Sequence, residues 1–189
     1  MPSLSPDTTA RYATFATVGA LGLTQDLTHT MLRSLGDIEG ADPELIAEET
    51  LCLVATATAR AVAVALSKRT DDASLPDALL ALPYTYRDYL LGLSMMEAPD
   101  APGDANATDA IHARLERKLS FYRTHLPDGR FPGPRALSDK MELWMGRISP
   151  PGLPESPQER LASLDLVPPV VRHLKLVLAY GRQPEASTT

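Results

Sequence analysis

The sequence predicts an all-α fold, a single globular array of about six to eight helices around a central alanine-rich helix. Three observations carry this. Only 5% of the 189 residues are aromatic while 44% are hydrophobic. A core therefore has to be built from Leu, Val, Met and Ala, and Ala and Leu favour helices where strand-rich domains use β-branched and aromatic residues. Apolar residues recur at helical spacing in several stretches. The 17 prolines stand almost entirely at helix starts and in loops, where they punctuate rather than interrupt.

The first helix is expected to open at Asp7, after Pro6. Gly19 and Gly22 fall in its middle, which leaves one kinked helix or two. A stripe of Leu23, Leu27, Met31 and Leu35 runs to Gly36, a residue suited to the left-handed conformation that ends helices. The second helix has the strongest signals. Asp42-Pro43-Glu44 reads as N-cap, first-turn proline and acidic first turn, and Lys68-Arg69 closes the negative end of the helix dipole. Between them, small residues on every side suit the centre of a helical array. Arg60 there has to reach the edge or pair with a buried carboxylate.

A short helix from Ser74 is expected to stop before Pro83, with another from Pro83 to Glu97 turning Tyr86, Tyr89 and Leu90 inward. Residues 98–106 read as an acidic loop. The next helix spans Thr108 to His125 on a stripe of Ile111, Leu115, Leu119, Tyr122 and Leu126, and ends at Pro127-Asp128-Gly129. A short helix starts at Ser138, a capping-box spacing follows at Ser156–Glu159, and a last helix runs from Pro168-Pro169 to about Gly181. One helical domain over 1–182 is expected, with a disordered tail over 183–189.

Composition narrows the function classes. The one cysteine, Cys52, lies within Leu51-Cys52-Leu53-Val54 and reads as a small buried hydrophobe, which excludes an internal disulfide and a cysteine-based zinc cluster. The N-terminus lacks the features of a secretory leader, and uninterrupted apolar runs fall short of the ~18 residues that span a bilayer. A cytoplasmic protein without a membrane partner is the expectation. The net charge of −6 argues against nonspecific nucleic-acid binding. That charge is uneven, with 6 Lys/Arg against 16 Asp/Glu up to Ala110 and 12 against 8 thereafter. The halves either attract each other within one fold or present a dipolar surface that selects partners.

No phosphate-binding glycine loop, dinucleotide fingerprint, zinc-protease helix or nucleophile elbow is present, and no nucleophile, base and orienting group assemble from neighbouring positions, so the catalytic residues are unknown. Asp26/His29 and His112/Glu116 have spacings that present two ligands from one helix face, as in carboxylate-bridged metal bundles. The face bearing Asp26 and His29 reads as solvated, so no metal and no cofactor is assigned. Arg114, Arg117 and Lys118 occupy one helix face above Phe121, with Arg130 and Arg135 close behind. Guanidinium forks bind carboxylates and phosphates, so this face suits an anion or an acidic partner. Phe131 between Arg130 and Arg135, and Trp144 beyond, are residue types that anchor protein interfaces. The cluster Tyr84-Thr85-Tyr86-Arg87-Asp88-Tyr89 is either core or the lining of a ligand pocket.

The functional expectation is a non-enzymatic protein-interaction or regulatory adaptor protein with a protein partner. It binds through Arg114, Arg117, Lys118, Phe121, Arg130, Phe131, Arg135 and Trp144. Reversing Arg114, Arg117 and Lys118 to Glu should then abolish partner capture and leave the fold intact. The alternative is a small helical-bundle enzyme or cofactor-binding protein with a His/carboxylate site between helices. A homodimer fits the small-residue helix faces without being required.

Overall fold

The structure, a computed structural model, describes residues 5–36, 42–68, 74–97, 105–126, 129–138, 144, 147, 159 and 163–183. Among these residues the regular structure is entirely helical. Five long helices are described: α1 (Pro6–Leu35), α2 (Pro43–Leu66), α3 (Ser74–Glu97), α4 (Ala105–His125) and α5 (Val167–Gly181). A short helical segment over 134–138 lies between α4 and α5.

α1 is one continuous helix of 30 residues. Ser5, rather than Asp7, caps it, with its hydroxyl accepting from the Thr8 N–H. Pro6 takes the first turn, where its missing N–H costs nothing. Gly36 ends the helix at φ 66° and returns its N–H to the Leu32 carbonyl. Gly19 and Gly22 do not break α1. Gly19 faces α5, where an added Cβ would meet His173 Cε1 at 2.9 Å.

α2 begins as expected, with Asp42 accepting from the Glu44 and Leu45 N–H groups and Pro43 in the first turn. It ends at Leu66, short of the basic pair at Lys68-Arg69. From Glu49 to Ala59 every residue is buried, and α2 packs against α1, α3, α4 and α5 in turn. Alanine and threonine on all faces let four helices come close. Each buried Leu or Val of α2 contributes about 1.5–3 kcal/mol of hydrophobic stabilisation. By length and composition α2 is long and apolar enough to cross a membrane, which the short uninterrupted runs of the sequence did not suggest. Its most apolar window is 83% buried inside the protein, the setting of a core helix. Arg60 reaches the end of α4, where its Nε donates to the Leu126 carbonyl, 2.8 Å away.

α3 runs straight through Pro83, which is buried. The expected break does not occur because the packing of α3 along α2 and α4 outweighs the one backbone hydrogen bond that proline forfeits. Tyr86 and Tyr89 lie outward, at 41% and 62% exposure, instead of in the core. The stripe expected on α4 is buried in full, from Ile111 through Leu126. α5 carries Pro168-Pro169 in its first turn and buries Val170, Val171, Leu174 and Val177. Tyr12 of α1 donates its hydroxyl to the Val177 carbonyl at 3.0 Å, tying the chain's two ends together. The expected short helix from Ser138 falls largely, and the capping box at Ser156 almost wholly, outside the described residues, as do 184–189 of the expected tail.

Candidate functional site

Two neighbouring carboxylates on the first turns of α2, Glu48 and Glu49, organise the charged groups of this protein. Both turn toward α4. Glu48 receives a two-pronged bond from Arg114, through Nε at 2.9 Å and Nη2 at 2.8 Å. Glu49, 2% exposed, is gripped the same way by Arg147, at 3.0 and 2.9 Å, and also accepts from the Tyr122 hydroxyl at 2.8 Å. Lys118 stands between them, its Nζ 2.6 Å from Glu48 and 3.3 Å from Glu49. The Arg147 guanidinium rests 4.3 Å above the Phe121 ring, which adds a cation–π contact.

The electrostatics follow from this geometry. Burial opposes ionisation of Glu48, but the bonds from Arg114 and Lys118 outweigh it and hold its carboxyl below the usual range. The bond to Glu48 raises Arg114 further. Arg147 is also raised: burial works against its charge, and the bond to Glu49 overcomes it. Burial and the adjacent Glu49 push the Tyr122 phenol upward. The network is a buried ion cluster with its acceptors filled, and it fastens α4 and Arg147 to α2.

This placement redraws the basic face expected on α4. Lys118 does not share a wet surface with Arg117, and Arg114, its side chain 43% exposed, is turned onto Glu48. Lys118 is 5% exposed and Arg114 is engaged with Glu48, while Arg117 is exposed. Reversing Lys118 would set a third carboxylate against Glu48 and Glu49, so the triple reversal cannot leave the fold intact. Phe121 is half-buried beneath Arg147, not an apolar break in a polar surface. Trp144, 1% exposed, is a core residue and offers no interface anchor. Phe131 folds back onto the core. Arg130 and Arg135 remain exposed.

The groups that suggested chemistry are placed as follows. Cys52 lies one turn beyond Glu48 and is fully buried; burial pushes its thiol up, so it stays protonated. His173, which has no carboxylate near it in sequence, is held against α2 with Nε2 3.0 Å from Thr58 Oγ1, and burial lowers its pKa to about 4. The two His/carboxylate pairs do not converge. His112 Nε2 is 2.8 Å from Asp88 on α3, Glu116 accepts from Tyr84 and Arg123, and Asp26 and His29 are exposed on α1. Among the described residues no three His, Cys, Asp or Glu side chains are grouped to hold a metal ion.

Two further exposed cations, Arg172 and Lys175, stand on α5. Its outward stripe carries Pro168, Arg172, Lys175, Leu176 and Ala179, spaced as one helix face and extending about 17 Å. Leu176 is 55% exposed. Beside this stripe lies a groove of about 660 Å³, closed on one side by Pro134, the residue next to Arg135. Every charged side chain that lines it, Arg172 and Lys175, is positive. The sequence carries no local signal that marks Arg172 or Lys175.

No family model, no curated protein and no solved structure matches this chain.

Proposed function

We propose that this chain is a non-enzymatic protein-interaction module that docks an acidic amphipathic helix of a partner protein along α5. One observation carries the reading. The groove beside α5 joins an apolar floor of Val167, Val171 and Leu176 to a rim whose charges are all positive. The α5 face, about 17 Å long, takes three turns of a partner helix, with anchors spaced by three and four residues. Arg172 and Lys175 then meet carboxylates flanking those anchors, which sets orientation and speeds encounter. Arg135 adds a further exposed cation beside Pro134.

The buried groups are consistent with binding rather than turnover. The Cys52 thiol is protonated, the Glu48 carboxylate is filled by cationic donors, and His173 is neutral and held by Thr58.

The test is titration of the full chain with two synthetic amphipathic helical peptides that share one apolar face, one with a Glu-rich and one with a Lys-rich polar face. The Glu-rich peptide is expected to bind, and to weaken as salt screens the rim. Equal binding of both peptides, or of neither, contradicts the proposal. So does a dimer of the protein that R172E/K175E dissolves, because the occupant of the groove is then a second copy.

A further inference from the structure

α1 leaves one long face uncovered. Arg11, Phe15, Val18, Gly22, Asp26 and His29 recur along it at spacings of three and four residues, and all six are exposed. The middle of this face is apolar, with Val18 62% and Phe15 36% exposed. Phe15 does not swing free. Its ring stacks on Tyr180 with centroids 4.6 Å apart, and Tyr180 stacks in turn on the buried Tyr12. Phe15 is thus a knob held in place by α5.

Gly22 is the matching hole. Glycine is the poorest helix former after proline, so one inside a 30-residue helix calls for a reason. Gly19 has one, because an added Cβ would press on His173, and so does Gly181 against Tyr12. Gly22 has none among the described residues, since a Cβ there meets nothing within 4 Å. Beside it lies a hollow of about 620 Å³, walled by Leu21 of α1, Leu51 of α2 and Tyr86 of α3. A phenyl ring fits this space.

The face is complementary to itself. The midpoint of Phe15 and Gly22 falls between Val18 and Gly19, and so does the midpoint of Arg11 and Asp26. One two-fold axis through that point, with two α1 helices antiparallel, therefore serves both pairs. It sets Phe15 of each chain over Gly22 of the other and Arg11 of each against Asp26 of the other. Val18 meets its own copy at the axis. The contact is isologous, as a two-fold dimer requires. Arg11 is bonded to Asp7 at 2.7 Å, but both side chains are 71% exposed, so that pair is weak and leaves Arg11 able to serve a second carboxylate. The charges also reject the two arrangements that bring Gly22 onto Gly22. A parallel pair in register sets Arg11 on Arg11 and Asp26 on Asp26, and an antiparallel pair centred on Gly22 sets Arg11 on Arg33.

We propose that a second copy of this chain packs on α1 in an antiparallel two-fold dimer, with Phe15 of each chain filling the hollow at Gly22 of the other. The contact uses none of the residues that line the α5 groove and does not depend on the docking of a peptide there.

The experiment is sedimentation equilibrium of the full chain over a range of concentrations. The wild type is expected to pass from monomer to dimer as concentration rises. V18E sets two carboxylates face to face at the axis, from a position exposed in the single chain. It is expected to leave only monomer, with the helical circular dichroism unchanged. R11E and D26K are each expected to weaken the dimer about tenfold, through two equivalent pairs. The double variant R11E/D26K, in which the opposed charges attract again, is expected to restore it. G22A acts oppositely on the two states: it fills the hole and weakens the dimer, while the dilute single chain gains helix propensity. R172E/K175E is expected to leave the dimer intact. A chain that stays monomeric at every concentration, a dimer that V18E leaves unchanged, a double variant no better than R11E, or a dimer that R172E/K175E dissolves overturns the proposal.

Discussion

His173 of α5 lies between Thr58 of α2, 3.0 Å from its Nε2, and Gly19 of α1, whose missing side chain makes room for the ring. The imidazole is the meeting point of three helices, and burial lowers its pKa from the ordinary 6.5 to about 4. Between these values the unfolded chain takes up a proton that the folded chain refuses. Stability is therefore complete above about pH 6.5 and falls as pH drops toward 4, by about 3 kcal/mol across the window. The carboxylate of Glu48, held below its usual range, adds its own loss lower on the scale, as pH falls from the ordinary 4.5 through its depressed value. Urea midpoints at pH 7, 6, 5 and 4.5 should fall steeply in the wild type and much less in H173Q. Equal slopes for both proteins would show that His173 is not buried neutral.

The glycines give a second set of outcomes with opposite signs. G22A places its methyl in open space inside α1 and should stabilise by about 0.5–1 kcal/mol through helix propensity alone. G19A drives a Cβ to 2.9 Å from His173 Cε1, on a ring that Thr58 holds, and should end below the wild type. G181A is the worst of the three. Its Cβ would lie 2.5 Å from the Tyr12 hydroxyl oxygen and 2.9 Å from the Ala65 Cβ, and the Tyr12 hydroxyl is itself tied to Val177. Overpacking of this kind should cost about 1–3 kcal/mol. Thermal melting of the three variants checks the order.

The ion cluster on α2 predicts that its anions and cations are unequal in cost. E49A strands Arg147, Lys118 and the Tyr122 hydroxyl in a site where Glu49 was 2% exposed, and should cost about 3–5 kcal/mol. K118M removes the shared cation but leaves Arg114 on Glu48 and Arg147 on Glu49, each in a two-pronged pair. Its loss should be clearly the smaller. Denaturant unfolding of both variants decides, and a K118M cost equal to that of E49A would mean that Lys118 holds the cluster together.

Local signals in the sequence carried the fold well. Asp42-Pro43, Gly36, the apolar stripe of α4 and the proline pair of α5 are each decided within a turn or two of helix, and the chain follows them. Pro83 is different, because a local rule met the packing of a whole helix and lost. The candidate site was less legible, since charge pairing is long-range. Arg114 and Glu48 are separated by 66 residues, and Arg147 and Glu49 by 98. In sequence Arg114, Arg117 and Lys118 look alike; only the approach of α2 divides them into one buried cation, one half-exposed cation paired with Glu48, and one left in solvent. Trp144 and Phe131 share that ambiguity, because an aromatic suited to an interface is equally suited to a core.

The α5 face is the central claim, and fluorescence anisotropy of the labelled Glu-rich peptide against two charge-reversed variants tests it most directly. R172E/K175E changes the groove rim, and R117E changes the exposed cation left on α4. R172E/K175E is expected to abolish binding with the helical fold retained, and R117E to leave it unchanged. Binding that survives R172E/K175E, or that R117E removes, would contradict it.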